Sequence, residues 1–222
     1  MGSLKVSMTS PGFVYEPYSL REPISFLYRW FTRSGWKRTK EDIILELKSA
    51  YAIAKLRKSG YSQKKFYEEA VDLFKEINTQ MANGDKGLLR KLVTENMYSA
   101  IKNEIKQREA VWSHVYWELL MPIVKIRTLR ARLIGVDRND LNKVFVQLTL
   151  EFLSKQIVTN INSEWTFDYL SHLSCKFEAY NSSGAVVAGD KDKEVLVRDL
   201  WVFEKSLFHQ GAYWRLCGRI NV

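Results

Sequence analysis

The sequence predicts an α+β fold: N-terminal helices packed on a curved antiparallel sheet, preceded by an extended basic arm. Three observations lead there. Apolar residues recur every three to four positions from about residue 40 to 112, then at every second position from about Pro122 onward. Helices first and a run of strands after them read as segregated layers rather than alternating βαβ units. The first forty residues fit neither period, because Pro11, Pro17, Pro23 and Gly12 interrupt them.

Residues 1–40 therefore read as the arm and 41–222 as the domain. In "TKEDIILELKSAYAIAKLRKSG", Thr39 is the expected helix cap, Asp42 follows three residues later and Gly60 is the stop. Ile43, Leu47, Ala50, Tyr51 and Ala54 are its expected buried stripe. The next helix has Ser62 as cap, Phe66, Ala70, Leu73, Phe74, Ile77 and Met81 inward, and Asn83-Gly84 at its end. A third stretch, Leu88 to Trp112, turns Leu92, Tyr98, Ile101, Ile105 and Val111 inward and breaks near Thr94. Strands follow. Val144, Val146, Leu148, Leu150 and Phe152 alternate with polar neighbours, Ser182-Ser183-Gly184 forms a turn, and Val197–Ile220 closes the chain as an aromatic hairpin. In that hairpin Trp201, Phe203, Trp214 and Leu216 are expected to line the core beneath the helices.

Charge narrows the class of partner. The chain of 222 residues carries a net charge of +9, and its first 60 residues hold 11 basic against 5 acidic groups. Arg21, Arg29, Arg33, Lys37, Arg38 and Lys40 face only Glu22 within 21–40, interleaved with Tyr28, Trp30, Phe31 and Trp36. Guanidinium forks bind phosphate and planar rings stack on unpaired bases, so the arm suits RNA. An anionic membrane surface is the other acidic partner such charge serves. No stretch reaches the roughly 18 apolar residues of a membrane span, and neither a myristoylation pattern nor a transit peptide is evident at the start.

Sites for chemistry are sparse. His114, His172 and His209 are isolated, Cys175 and Cys217 lack metal-ligand spacing, and no phosphate-loop, dinucleotide or nucleophile-elbow motif occurs. No metal and no cofactor is expected. The strand residues Arg127, Arg130, Arg132, Arg198, Arg215 and Arg219 read as a solvent face paired with Glu151, Glu204 and Asp199, or as a surface that meets phosphate. A small-molecule isomerase would need a carboxylate on the inner face of the sheet, and Asp199 is the residue placed for it.

"LVRDLWVFEKSLFHQGAYWRLCGRI", with "GVDRNDLNKVFVQLTLEF" before it, resembles the family of the mitochondrial large-subunit ribosomal protein 45, which shares its domain with the 44-kDa subunit of the inner-membrane presequence translocase. The resemblance covers roughly residues 40–222. The stretch "FTRSGWKRTKEDIILELKSAYAIAKLRKSGYS" is similar to the plant type. What the resemblance implies is a cone similar to the nuclear transport factor 2 type, without catalysis. It also implies a place in the mitochondrial matrix near the polypeptide exit of the large subunit, facing the inner membrane. The translocase subunit instead carries a long charged N-terminal region, to which forty Pro-broken residues are a poor match. Residues 157–175 depart from the family pattern and are expected to leave the domain as an insertion.

The expectation is thus a non-enzymatic ribosomal component, without a small-molecule substrate. Its partners would be mitochondrial rRNA, neighbouring large-subunit proteins and, peripherally, the inner membrane or its insertase. The rRNA contacts expected are Arg21, Arg29, Trp30, Arg33, Trp36, Lys37, Arg38 and Lys40. A peripheral import tether and an isomerase on the same fold are the alternatives.

Overall fold

In the computed structural model the described residues are 10–110, 114–118, 123, 125–137, 139–157, 176–180, 186–188 and 194–220. Among them five helices come first: α1 (Phe26–Phe31), α2 (Arg33–Lys58), α3 (Gln63–Asn83), α4 (Lys86–Leu92) and α5 (Glu95–Glu109). The strands are β1 (His114–Glu118), β2 (Lys125–Gly135), β3 (Val144–Ile157), β4 (Lys176–Tyr180), β5 (Val186–Ala188), β6 (Glu194–Ser206) and β7 (Arg215–Ile220). They form two antiparallel sheets, ordered β2-β3-β6-β7 and β1-β4-β5. The fold is α+β, helices against antiparallel sheet.

Helix α3 is the lid of the core. Phe66, Ala70, Phe74, Ile77 and Met81, spaced three or four apart, are all buried on one face. Phe74 stacks on Phe152 at 4.8 Å between ring centroids and leans on Trp201 at 4.6 Å, while Phe66 meets Trp214 at 4.4 Å and Phe203 at 6.1 Å. Such ring pairs add about 0.5–1.5 kcal/mol each beyond the area they bury. Trp201, Phe203, Trp214 and Leu216 thus lie in the core under the helices, as their alternation predicts. Helix α5 starts at the sheet edge: the Thr94 amide donates to the Leu216 carbonyl at 2.9 Å, and Val93 bridges to Leu216.

Two bulges in the four-stranded sheet change which face the side chains beyond them meet. In β2 the register shifts between Thr128 and Arg130, so Ile126 before it and Ala131 and Leu133 after it all reach the core despite opposite parity. In β7 the shift beside Leu216 places Cys217 in a bulge.

The start of α2 differs from the expected one. Thr32, extended, accepts from the Gly35 amide and caps the helix, whereas Thr39 lies inside it, its hydroxyl donating to the Gly35 carbonyl at 2.8 Å. A threonine can cap or fold back on the preceding turn, and its local sequence does not say which. The boundary expected at residue 40 consequently falls inside α2, and α1 lies within the stretch expected to be extended. The buried face of α2 is also the opposite one. Ala52 and Leu56 are buried, with Leu45, Ser49 and Ile53 half-buried, while Ile43, Leu47 and Tyr51 are 53%, 64% and 66% exposed, and Ala50 and Ala54 are exposed too. The cause is a polar contact: Ser49 Oγ accepts from the Ala131 amide at 3.3 Å and from Arg132 Nη1 at 2.9 Å, turning that side to the β2 edge.

Residues 10–25 carry no helix or strand. Residues 13–17 cross the outer face of the four-stranded sheet as a strap. Gln147 receives the Tyr15 amide at 2.9 Å and donates to the Phe13 carbonyl at 2.8 Å. Arg130 donates to the carbonyls of Glu16 and Pro17, and Arg132, 3% exposed, binds the Glu16 carboxylate at 2.7 Å. The expected insertion lies outside the described residues from residue 158 on, as do Val111, His172 and the Ser182–Gly184 turn.

Candidate nucleic-acid interface

The basic stretch is shaped by a tight helical hairpin. Ser25 caps α1, and the Thr32 hydroxyl donates to the Tyr28 carbonyl at 2.7 Å while its oxygen caps α2. Gly35 is buried at the crossing, where a Cβ would collide with the Tyr28 and Arg29 carbonyls. Only glycine lets α1 and α2 approach this closely. Trp36 Nε1 donates to the Trp30 carbonyl at 2.8 Å and the two rings meet edge-on at 5.4 Å. Both remain accessible, at 43% for Trp30 and 55% for Trp36. They pack the hairpin and still present ring surface outward.

The structure sorts the basic candidates into two groups. Arg21 binds Asp42 at 3.0 Å and Glu41 at 3.6 Å. Arg29 Nε donates to Thr39 Oγ1 at 3.1 Å, and Arg38 donates to the Glu22 carbonyl. Arg21 and Arg38 hold the chain before α1 against α2, and Arg29 holds α1 itself there. Arg33, Lys37 and Lys40 are exposed and have no ion-pair partner among the described residues. Spaced i, i+4, i+7, they share one side of α2. Lys37 also borders an open cleft lined by Arg21, Glu22, Ser34, Arg38 and Glu41.

The strand arginines have other roles. Arg127 and Arg198 both donate to Glu151, Arg215 lies 3.7 Å from Glu204, and Arg219 binds Glu104. Instead of a solvent face, Glu151 is 5% exposed and Glu204 is fully buried. Arg130 also sits over the Tyr18 ring at 5.3 Å, so it and Arg132 hold the strap. Nothing in the spacing of a β2 arginine and a distant Glu16 signals that they meet. Asp199 is buried on the helix-covered face, opposite Phe152 and two positions before Trp201. Among the histidines, His209 lies in the β6–β7 loop, its Nδ1 2.7 Å from Ser206 Oγ.

The sequence matches the Tim44-like domain family over residues 47–168 and 171–221. The hairpin bearing Arg33, Lys37 and Lys40 thus precedes the matched stretch. Large ribosomal subunit protein mL45 of Drosophila melanogaster is 26% identical over 192 residues, covering 84% of this chain and 45% of that protein. Large ribosomal subunit protein mL45 of Bos taurus is 25% identical over 193 residues, covering 85% and 54%. The chain spans about half the length of these curated relatives. With well over half of its residues inside the family match, from the second half of α2 through β7, the chain belongs to the Tim44-like domain family.

Proposed function

We propose that this chain is a non-enzymatic component of the mitochondrial large ribosomal subunit, bound to rRNA by the outer face of the α1–α2 hairpin. The carrying observation is the row of exposed Arg33, Lys37 and Lys40, without an ion-pair partner among the described residues, beside the accessible rings of Trp30 and Trp36. Cations without carboxylate partners are free to neutralise phosphate, and the rings offer faces to unstacked bases. Two relatives named as large ribosomal subunit proteins support the particle. Within this reading Arg21, Arg29 and Arg38 position the hairpin, and the chain sits near the polypeptide exit, helping to hold the ribosome at the inner membrane.

The family match also supports a second reading, a peripheral import tether whose basic hairpin binds anionic lipid. Co-sedimentation with mitochondrial large subunits at moderate salt, set against flotation on cardiolipin liposomes, separates the two. The ribosomal reading expects the chain in the large-subunit fractions. A chain that floats with liposomes and never enters those fractions overturns it.

A further inference from the structure

The outer face of α2 changes character along its length. Its first two turns present Arg33, Trp36, Lys37 and Lys40, and the turns after them Ile43, Ile44, Leu47, Ala50, Tyr51 and Ala54, all exposed. Trp36, Lys40, Ile43, Leu47, Ala50 and Ala54 follow one another at intervals of four and three, the seam by which one helix receives another. We infer that this seam docks an acidic-flanked amphipathic helix of another protein of the same particle. The inference rests on the ribosomal reading above.

Shape and charge choose the occupant. Isoleucine, leucine and alanine offer no donors and no flat face, so apart from the single ring of Tyr51 this half of the helix gives rRNA nothing to hold. The stretch from Ile43 to Ala54 spans about 17 Å at the α-helical rise, roughly three turns. The seam positions of its far half, Ala50 and Ala54, are small, with Tyr51 to one side, which lets a second helix backbone come close. The rim is basic: Lys37, Lys40, Arg57 and Lys58 are exposed around the seam against Glu46. Two copies of this chain would set those cations against one another, whereas a helix with glutamate or aspartate beside its apolar row complements them.

The test uses the full chain in its ribosome. Leu47 is replaced by the photoreactive residue p-benzoylphenylalanine, large subunits are isolated on a gradient and irradiated, and the joined peptide is identified by mass spectrometry. Tyr51 replaced in the same way serves as a second probe, and Glu69, exposed on α3, as the background. Both α2 probes are expected to join one segment of another large-subunit protein, with apolar residues three and four apart and a net negative flank, at least tenfold above the Glu69 background. In particles that contain the chain, joining to rRNA, to phospholipid, to a second copy, or no more than the background overturns the docking inference and leaves the ribosomal reading standing. A chain missing from large subunits altogether overturns the ribosomal reading, and the docking inference with it.

Discussion

Glu151 shows how a single carboxylate can bind three strands. Arg127 reaches it from β2 and Arg198 from β6, one on either side of β3. Burial is the strongest single influence and would raise its pKa, but the two guanidinium donors together outweigh it and hold the carboxyl below its ordinary 4.5. A lowered folded-state pKa gives stability that is full above the unfolded value and disappears as pH falls through the folded one. Glu151→Gln is therefore expected to cost about 1–2 kcal/mol at pH 7, less than breaking a fully buried charge pair, because Arg127 is half in water. Urea unfolding at pH 7, 5 and 3.5 should show the gap between variant and parent closing below pH 4.5. A gap of constant size down to pH 3.5 would rule out the pairing. That the strand arginines share a face with Glu151 is legible from alternation, but the pairing is set by register, which puts Arg127 opposite Glu151 and Arg198 opposite Leu153, diagonal to it. That the carboxylate is buried is not legible, because the helices and the strap that shape its surroundings lie far away in sequence.

At the scale of elements, periodicity reads some helices and misleads for another. Helix α3 touches the sheet through aromatic rings, so its apolar stripe is its buried face. Helix α2 is pinned by Ser49 to an edge strand, and its apolar stripe faces outward. A period reports that a face is apolar, not which of two faces the fold covers. The strap is equally silent in sequence: its hold comes from backbone carbonyls meeting Gln147 and Arg130, and from the Glu16 carboxylate meeting Arg132. Its closest fit is at Gly218, where a Cβ would lie 2.6 Å from Val14 Cγ2. Cys217 beside it is a reporter, because burial, reinforced by the charge of Glu204, pushes its thiol up to about 12 and the strap runs past its Sγ. In a Cys175→Ser background at pH 8, iodoacetamide is expected to spare Cys217 in the folded chain and to modify it in urea. Gly218→Ala, by lifting the strap, should speed that modification about tenfold, a change of about 1.4 kcal/mol in local opening. Val14→Ala should restore the slow rate, the mark of a coupled pair. Unchanged labelling in Gly218→Ala would show that the strap does not guard this face.

Across the molecule, the basic excess that sequence places in the first quarter of the chain is divided by the fold into two kinds of cation. Arg21, Arg29 and Arg38 are spent on Asp42, Thr39 and the Glu22 carbonyl, which hold the segment preceding α2, while Arg33, Lys37 and Lys40 project without an ion-pair partner among the described residues. Counting charges in a sequence cannot make that division, since it depends on which partners the hairpin brings within reach. It has a measurable consequence. Each phosphate neutralised releases counterions, so the logarithm of affinity falls with the logarithm of salt by about 0.7–0.9 per contact. Arg33→Gln, Lys37→Gln and Lys40→Gln together should therefore flatten the salt dependence of rRNA-particle binding by about two to three units of slope. As exposed side chains, they should leave the stability of the isolated chain within about 0.5 kcal/mol of its parent. Arg21→Gln with Arg38→Gln should do the reverse, loosening the hairpin to proteolysis while the slope stays nearly as it was. Sedimentation of large subunits through gradients at stepped salt, with the retained chain quantified at each step, gives the slope directly. Equal slopes for the first triple variant and its parent would mean that this face of α2 meets no phosphate, and the rRNA contact would have to be sought elsewhere on the chain.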